Sequence, residues 1–411
     1  MRWRSTIRFA AWGAVVVCAY IATVKLLVRP AHAAGNVQLP ASFFNGASAL
    51  LEAPGRLALV AAADLTGARP RGWPARAAVF ASHALVYLLG FAAAHAALVL
   101  ARGRLGPTDE RDNRPPPSPA RRDFLALPGK LAFTAAAATG AYAFFAEPRR
   151  ITVSRIRVPV RDLPPALAGL RIAHLTDLHL GPWTTREFID RVVDVTNLLA
   201  PDVVALTGDY ISDSPTYIAP VVEALARLKA NVGVVGVLGN HDWKEGGVAV
   251  RDAFRAAGIP LVDNSRLFVT PRGALVAAAK DGLCLAGVGD LWTDRQLYDQ
   301  ALGNLPGHMP RILLSHNPDV AEEPDFLNAN LRTDLILAGH THGGQIRLPG
   351  IGAPITMSRH GQKYVRGLVQ SPRCPIYISR GIGTTSLPLR FHCPPEVAVI
   401  ELAPAARSTV A

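Results

Sequence analysis

The chain has 411 residues, half of them hydrophobic and only 18% charged, with a formal net charge of +12. That length accommodates one large catalytic domain plus an accessory region, and the apolar bias argues against an entirely water-soluble enzyme. Residues 1–150 hold 18 Lys and Arg against 7 Asp and Glu, whereas 151–411 hold 25 against 24, so the C-terminal part has no basic face for nucleic acid.

Residues 9–28 open with the apolar run FAAWGAVVVCAYIATV between Arg8 and Lys25. With snorkelling flanks such a run can cross a bilayer, which takes about 20 residues. A cleaved signal peptide is the rival reading, since Ala31-His32-Ala33 resembles a cleavage site, but further apolar segments downstream favour an anchor. Residues 43–63 are apolar yet broken by Glu52, Pro54 and Arg56, and read as an interfacial helix. Residues 77–101 carry no formal charge and are the clearest spanning helix; His83 and His95 within it read as packing groups. A third, shorter apolar segment covers 131–146. Before it lies a Pro- and Arg-rich linker, in which Pro115 to Pro117 hold the backbone extended. The linker ends in Arg121-Arg122-Asp123-Phe124-Leu125, either a twin-arginine export signal or an ordinary positive-inside flank. Both readings put the linker in the cytoplasm and the C-terminal domain outside it. The expected location is therefore the cell inner membrane, multi-pass, with an extracytoplasmic catalytic domain.

From residue 151 the character changes, and a second region is expected over 151–405. The strand-like runs RIAHLT, DVVALTG, VGVVGVLG, RILLSH and LILAGH alternate with helical stretches such as Thr185–Leu199 and Ala219–Lys229, which argues for a layered α/β domain. Cys18, Cys284, Cys374 and Cys393 make no paired metal-binding spacing, although a Cys374–Cys393 disulfide is conceivable outside the cytoplasm.

Each of those five strands ends in Asp, Asn or His. Asp177 and His179 follow the first, Asp209 the second, Asn240-His241-Asp242 the third, His316 the fourth, and His340 and His342 the fifth. Functional groups of α/β sheets gather beyond the carboxyl ends of strands, and buried strands cannot cheaply hold unpaired carboxylates and imidazoles, so one shared site is expected. Oxygen and imidazole donors without a thiolate suit Mn²⁺, Fe, Zn²⁺ or Mg²⁺, and seven candidates can fill two metal shells. Each residue alone has a bland reading: Asp177 or His179 as a helix cap, Asn240 as a turn residue, His316 as a satisfied core histidine.

The ordered blocks Asp177-Leu-His179, Gly208-Asp209, Gly239-Asn240-His241-Asp242, His316 and Gly339-His340-Thr-His342 resemble the calcineurin-like metallophosphoesterase superfamily over residues 168–346. The resemblance implies an α/β/β/α four-layer sandwich and two divalent metal ions, with manganese favoured. It assigns Asp177, His179, Asp209 and His342 to one metal and Asp209, Asn240, His316 and His340 to the other, with Asp209 as bridge. It further implies a metal-bridged hydroxide attacking phosphorus, His241 stabilising charge and protonating the leaving oxygen, and Asp242 orienting His241.

Residues 150–172, the Ser315-His316-Asn-Pro-Asp319 block, Ser379-Arg380-Gly381-Ile382-Gly383 and Leu387-Pro-Leu-Arg390-Phe391 are similar to membrane-associated phosphodiesterases of the YkuE/YaeI type. Members of that group include a UDP-2,3-diacylglucosamine pyrophosphatase of lipid A synthesis. Arg380 and Arg390 then either reach the substrate phosphate or are structural. The expected partners are membrane lipid and a lipid- or nucleotide-linked phosphodiester or pyrophosphate, without nucleic acid and with the oligomeric state open. An extracytoplasmic phosphatase of cell-wall or protein substrates is one alternative. A catalytically dead binding module is another, but it would be marked by lost ligand residues, and none is lost.

Overall fold

The computed structural model describes residues 138–405. The expected segments at 9–28, 43–63 and 77–101, the linker with its arginine pair, and the first part of the 131–146 run lie outside the described residues. Among the described residues no helix is long and apolar enough to cross a membrane.

Among the described residues twelve strands build two sheets. One contains β1 (Thr152–Val160), β2 (Arg171–Leu175), β3 (Val203–Thr207), β4 (Gly233–Val237) and β12 (Glu396–Pro404), in the order β1-β12-β2-β3-β4. The other contains β5 (Ser265–Val269), β6 (Leu275–Val276), β7 (Leu283–Gly287), β8 (Arg311–Leu314), β9 (Leu335–Ala338), β10 (Gly367–Gln370) and β11 (Pro375–Ile378), in the order β10-β11-β9-β8-β7-β5-β6. The central pairs β2/β3, β3/β4, β7/β8 and β8/β9 are parallel, with Ala205 opposite Val235 and Leu313 opposite Ile336.

These central strands read as unbroken apolar runs because both of their faces are covered. Between the sheets, Ile172, Val203, Val235 and Ile400 of the first meet Leu285, Ile312, Leu314 and Leu337 of the second. The outer face of the first sheet is covered by α1 (Arg186–Leu198), α2 (Ile218–Leu225) and α3 (Asn240–Ala256), through Ile189, Val192, Val221 and Phe254. The outer face of the second is covered by α4 (Tyr298–Leu302) and α5 (Pro324–Ala329), through Ala301, Leu302 and Phe326. Helix, sheet, sheet and helix thus make four layers. Each buried Val, Leu or Ile contributes about 1.5–3 kcal/mol, so the paired inner faces dominate the cohesion of the sandwich.

Thr185 caps α1 by accepting from the Phe188 amide, while α2 is shorter than its sequence pattern, ending at Leu225. Cys374 and Cys393 are not joined; each is a buried free thiol, and the conceivable disulfide is corrected.

Candidate metal centre

The carboxyl ends of β2, β3 and β4 meet those of β8 and β9 at one edge of the sandwich, and short bonds lock the crossing. His316 Nδ1 lies 2.8 Å from the Thr207 carbonyl, and the His340 amide donates to Asp177 Oδ2 at 2.9 Å. Two glycines explain why Gly precedes a functional residue in these blocks. A Cβ at Gly239 would strike Asp209 Oδ1, and one at Gly339 would strike Thr176 Oγ1 and Asp177 Oδ2. Larger residues there would push the strand ends apart.

All seven expected ligands are brought to this edge, and all but Asn240 are buried. Asp177, His179 and His342 offer donor atoms within 4.8 Å of one another, as do His179, Asp209 and His241, and also Asp209, His316 and His340. Asp209 Oδ2 stands between two imidazoles, 3.4 Å from His179 Nε2 and 3.2 Å from His316 Nε2. On the other flank His342 Nε2 is 3.3 Å from Asp177 Oδ1 and 3.0 Å from His179 Nε2. Five of these residues hold the left-handed backbone: Asp177, His179, Asp209, His340 and His342 have φ of 53°, 46°, 56°, 68° and 51°. For a non-glycine residue that conformation costs roughly 1–2 kcal/mol, and strain of this kind persists where the surrounding fold over-determines a site.

The donors face one another in a way that neutral protein chemistry does not satisfy. With Nδ1–H donating to the Thr207 carbonyl, His316 turns the lone pair of Nε2 toward a carboxylate oxygen. His179 does the same, its Nδ1 lying 2.6 Å from Ser212 Oγ. Asn240 Oδ1 and His340 Nε2 are buried with no hydrogen-bond partner. Converging lone pairs and orphaned acceptors in a dry pocket are reconciled by cations, and the donor set fits hard or borderline divalent ions.

Electrostatics agree. Burial pushes the Asp209 carboxyl up, but His316 and His179 outweigh it and hold Asp209 well below its usual range. Burial likewise opposes a charge on His316, yet the Asp209 and Asp177 carboxylates raise it well above an ordinary imidazole. Burial pushes His179 and His340 down to about 3, so both are neutral and able to ligate. Burial raises Asp177 to about 6, with Asp209 adding to it and His316 opposing.

The sequence profile of the calcineurin-like phosphoesterases matches residues 170–344. A Bacillus subtilis (strain 168) protein described as the uncharacterized metallophosphoesterase YkuE is 34% identical over 290 residues, covering 69% of this chain and 97% of its own length. The chain belongs to the calcineurin-like phosphoesterase family. The phosphodiesterase YaeI of Escherichia coli (strain K12) is 30% identical over 288 residues, 69% of this chain and 99% of its own. A Danio rerio protein named transmembrane protein with metallophosphoesterase domain is 30% identical over 259 residues; the match takes in 60% of this chain and 56% of that one. Family and clustered donors together make this a metal-dependent phosphoric ester hydrolase with a divalent metal centre.

Within that phosphoesterase frame two expected roles change. Asp242 does not touch the His241 ring. It is the third residue of α3, and its carboxylate turns back to accept the backbone amides of Asp209, Tyr210 and Gly239 at 2.8, 2.8 and 2.9 Å. It therefore positions the Asp209 loop. Burial, then the neighbouring Asp209 charge, raises its acid to about 8.

Arg390 is not a substrate contact. It is fully buried, and its guanidinium donates to the carbonyls of Gly383, Arg380 and Cys393. Replacing it with methionine is expected to destabilise the fold by about 2–5 kcal/mol, because three carbonyls lose a charged donor. Thermal unfolding measures that loss, and an unchanged melting point with a raised KM would return Arg390 to the substrate. Arg380 is committed to Glu396 at 2.9 Å and to Thr152 Oγ1 at 3.0 Å, so it too is held within the fold.

Sequence reasoning left one supporting group unassigned. Ser212 holds the His179 ring, and nothing in a lone serine three residues past Asp209 signals that. Trp292 stands edge-on to His340, ring centroids 4.3 Å apart, and is 46% exposed. Asp290 presents it, since its Oδ2 accepts the Trp292 and Thr293 amides at 2.9 and 3.0 Å. The sequence reading expects the loop of Asp290 and Trp292 to contact the part of the substrate beyond the phosphate, and the indole stands against a candidate ligand.

Proposed function

We propose that this chain is a binuclear, membrane-anchored phosphodiesterase or pyrophosphatase acting on a lipid- or nucleotide-linked phosphate. The observation that carries this reading is Asp209 Oδ2 lying between His179 Nε2 and His316 Nε2, at 3.4 and 3.2 Å, with separate donors on either side. Asp177, His179, Asp209 and His342 would hold one ion; Asp209, Asn240, His316 and His340 would hold the other. When bound, such a pair supplies an acidified water and positive charge for the phosphoryl oxygens. The protein's own residues do the rest. Asp177 and Asp209 offset the cationic charge, and the Thr207 carbonyl and Ser212 fix which nitrogens of His316 and His179 face inward. His241 carries a proton to the leaving oxygen. Trp292 walls the side next to His340 and keeps water from that flank.

A diester or pyrophosphate is favoured because the similar Escherichia coli protein is named a phosphodiesterase. Membrane anchoring is supported by the apolar segments at 9–28, 77–101 and 131–146 and by the name of the Danio rerio relative. Anchoring makes sense for a substrate that stays in the bilayer, since it raises effective concentration at the site. UDP-2,3-diacylglucosamine is the leading substrate if the domain faces the cytoplasm, where nucleotide sugars are found; another lipid or cell-wall diester leads if it faces outward.

Full-length protein supplied with Mn²⁺ should hydrolyse a membrane-embedded phosphodiester roughly 10-fold faster than its deacylated counterpart. Chelation should abolish both activities. Equal rates in membranes and in detergent would sink the lipid reading, and a preference for monoesters would favour a wall or protein phosphatase.

A further inference from the structure

Of the large hydrophobic side chains exposed among the described residues, half belong to three segments that meet beside His342: Tyr142 and Phe145, Ile351, Ile355 and Met357, and Leu387. Single exposed apolar residues are ordinary, but a cluster is not. Here the cluster is tied to the catalytic edge by named contacts. Gly344, two residues past His342, is packed so tightly on Ala353 that it has no room for a Cβ. Its neighbour Gln345 donates to the carbonyls of Thr385 and Leu387 at 3.2 and 2.9 Å, and accepts from the Thr385 amide. The Arg347 amide bonds the Phe391 carbonyl at 2.8 Å, and the Arg390 amide bonds Ala143 at 3.0 Å. Loop 346–357, loop 384–391 and residues 142–147 are therefore tied into one platform by backbone hydrogen bonds. Its tips, including Phe145, Ile351 and Ile355 at 64%, 69% and 71% exposure, are bare.

We propose that this platform is a lipid-facing rim that seats the open side of the metal centre on the surface of an anionic bilayer. It rests on the membrane-anchored part of the reading above, and it is independent of the metals. Two observations select a bilayer as the occupant. Tyr142 and Phe145 are themselves the last part of the apolar run at 131–146, so the segment expected to be in the membrane continues into the platform. The platform is also edged by cations, with Arg149 and Arg150 exposed after Phe145 and Arg366 exposed near Arg347. Burial and then Arg366 lower the Arg347 guanidinium, a crowding that an anionic head group relieves. Arg359 and Lys363, by contrast, are already matched by Glu323 and Glu322. Apolar tips among arginines, on loops and not on a spanning helix, suit insertion to the depth of the head groups and upper acyl chains.

The test places an environment-sensitive fluorophore at Ile355→Cys, at Leu387→Cys and, as a control, at Leu198→Cys on α1. All three are made in full-length Cys18→Ser protein reconstituted in vesicles of phosphatidylglycerol and phosphatidylcholine. Quenchers carried on the upper acyl chain should quench the probes at 355 and 387 at least about 2-fold more than at 198. Equal quenching at all three sites overturns the proposal. Probe-to-probe quenching between chains overturns it as well, by assigning the platform to a second copy. This readout needs no turnover, so it can succeed even if the phosphodiester reading fails. In a second arm, the combined Ile351→Ser, Ile355→Ser and Leu387→Ser protein should lose roughly 10-fold on the embedded diester while keeping its rate on a soluble one. Equal loss on both substrates, or on neither, counts against the rim.

Discussion

Replacing Asp209 with alanine is expected to yield a folded protein that retains almost no divalent metal and turns over phosphodiester at less than about one-thousandth of the normal rate. The size of the effect follows from position. Oδ2 serves His179 and His316 together, at 3.4 and 3.2 Å, while Oδ1 accepts the His241 amide at 2.8 Å. Losing this carboxylate removes the negative charge shared by both halves of the donor set and leaves neutral imidazoles, which cannot offset the repulsion between two adjacent cations. Alanine at φ 56° adds backbone strain, which could by itself loosen the loop. Asp209→Asn is therefore the companion variant, because asparagine tolerates that conformation and keeps an oxygen for the His241 amide. It should show the same loss of metal with a normal unfolding transition. Elemental analysis of the purified proteins decides the matter: two ions per chain with near-normal turnover in either variant would remove Asp209 from the bridging position.

What could be read from the sequence depended on how local each signal was. β2, β3, β4, β8 and β9 were legible because a strand covered on both faces must be apolar throughout, and a polar residue can appear only where it ends. The same logic exposed Asp177, Asp209, Asn240, His316 and His340 as residues of one edge. β12 was not legible in that way. It comes last in the chain yet lies between β1 and β2, and only the closed sheet reveals that Val399 pairs with Ala173. β1 alternates exposed and covered residues over much of its length because it is an edge strand, which hides it among loop-like sequence. Side-chain direction was the other blind spot. Asp242 adjoins His241 in sequence, but at the third position of a helix its carboxylate folds back on the N-cap amide of Gly239 and on the Asp209 and Tyr210 amides. Arg390 misled for a related reason. Arginine is rarely fully buried, and nothing local announces that three backbone carbonyls converge on it.

Replacing His241 with alanine should leave the metal content unchanged and lower turnover roughly 10²–10⁴-fold, most severely for substrates with poor leaving groups. His241 is the second residue of α3, only half-buried, and its ring stands 4.8 Å from that of His179, centroid to centroid. Its backbone is anchored through Asp209 Oδ1, whereas its Nδ1 has no hydrogen-bond partner. An imidazole fixed by its main chain, free at its ring and open on one side is placed to give a proton to an oxygen leaving phosphorus. Its donor atom also lies within 4.8 Å of those of His179 and Asp209, which gives it a competing use as a ligand. The two roles separate cleanly. A proton donor matters most when the departing alkoxide is basic, so the variant should lose far more on an alkyl ester than on a nitrophenyl ester, with its metal content unchanged. A ligand would be missed equally by every substrate, and metal would leave with it. Metal analysis together with a series of leaving groups distinguishes these results, and a uniform loss accompanied by lost metal would move His241 into the ligand set.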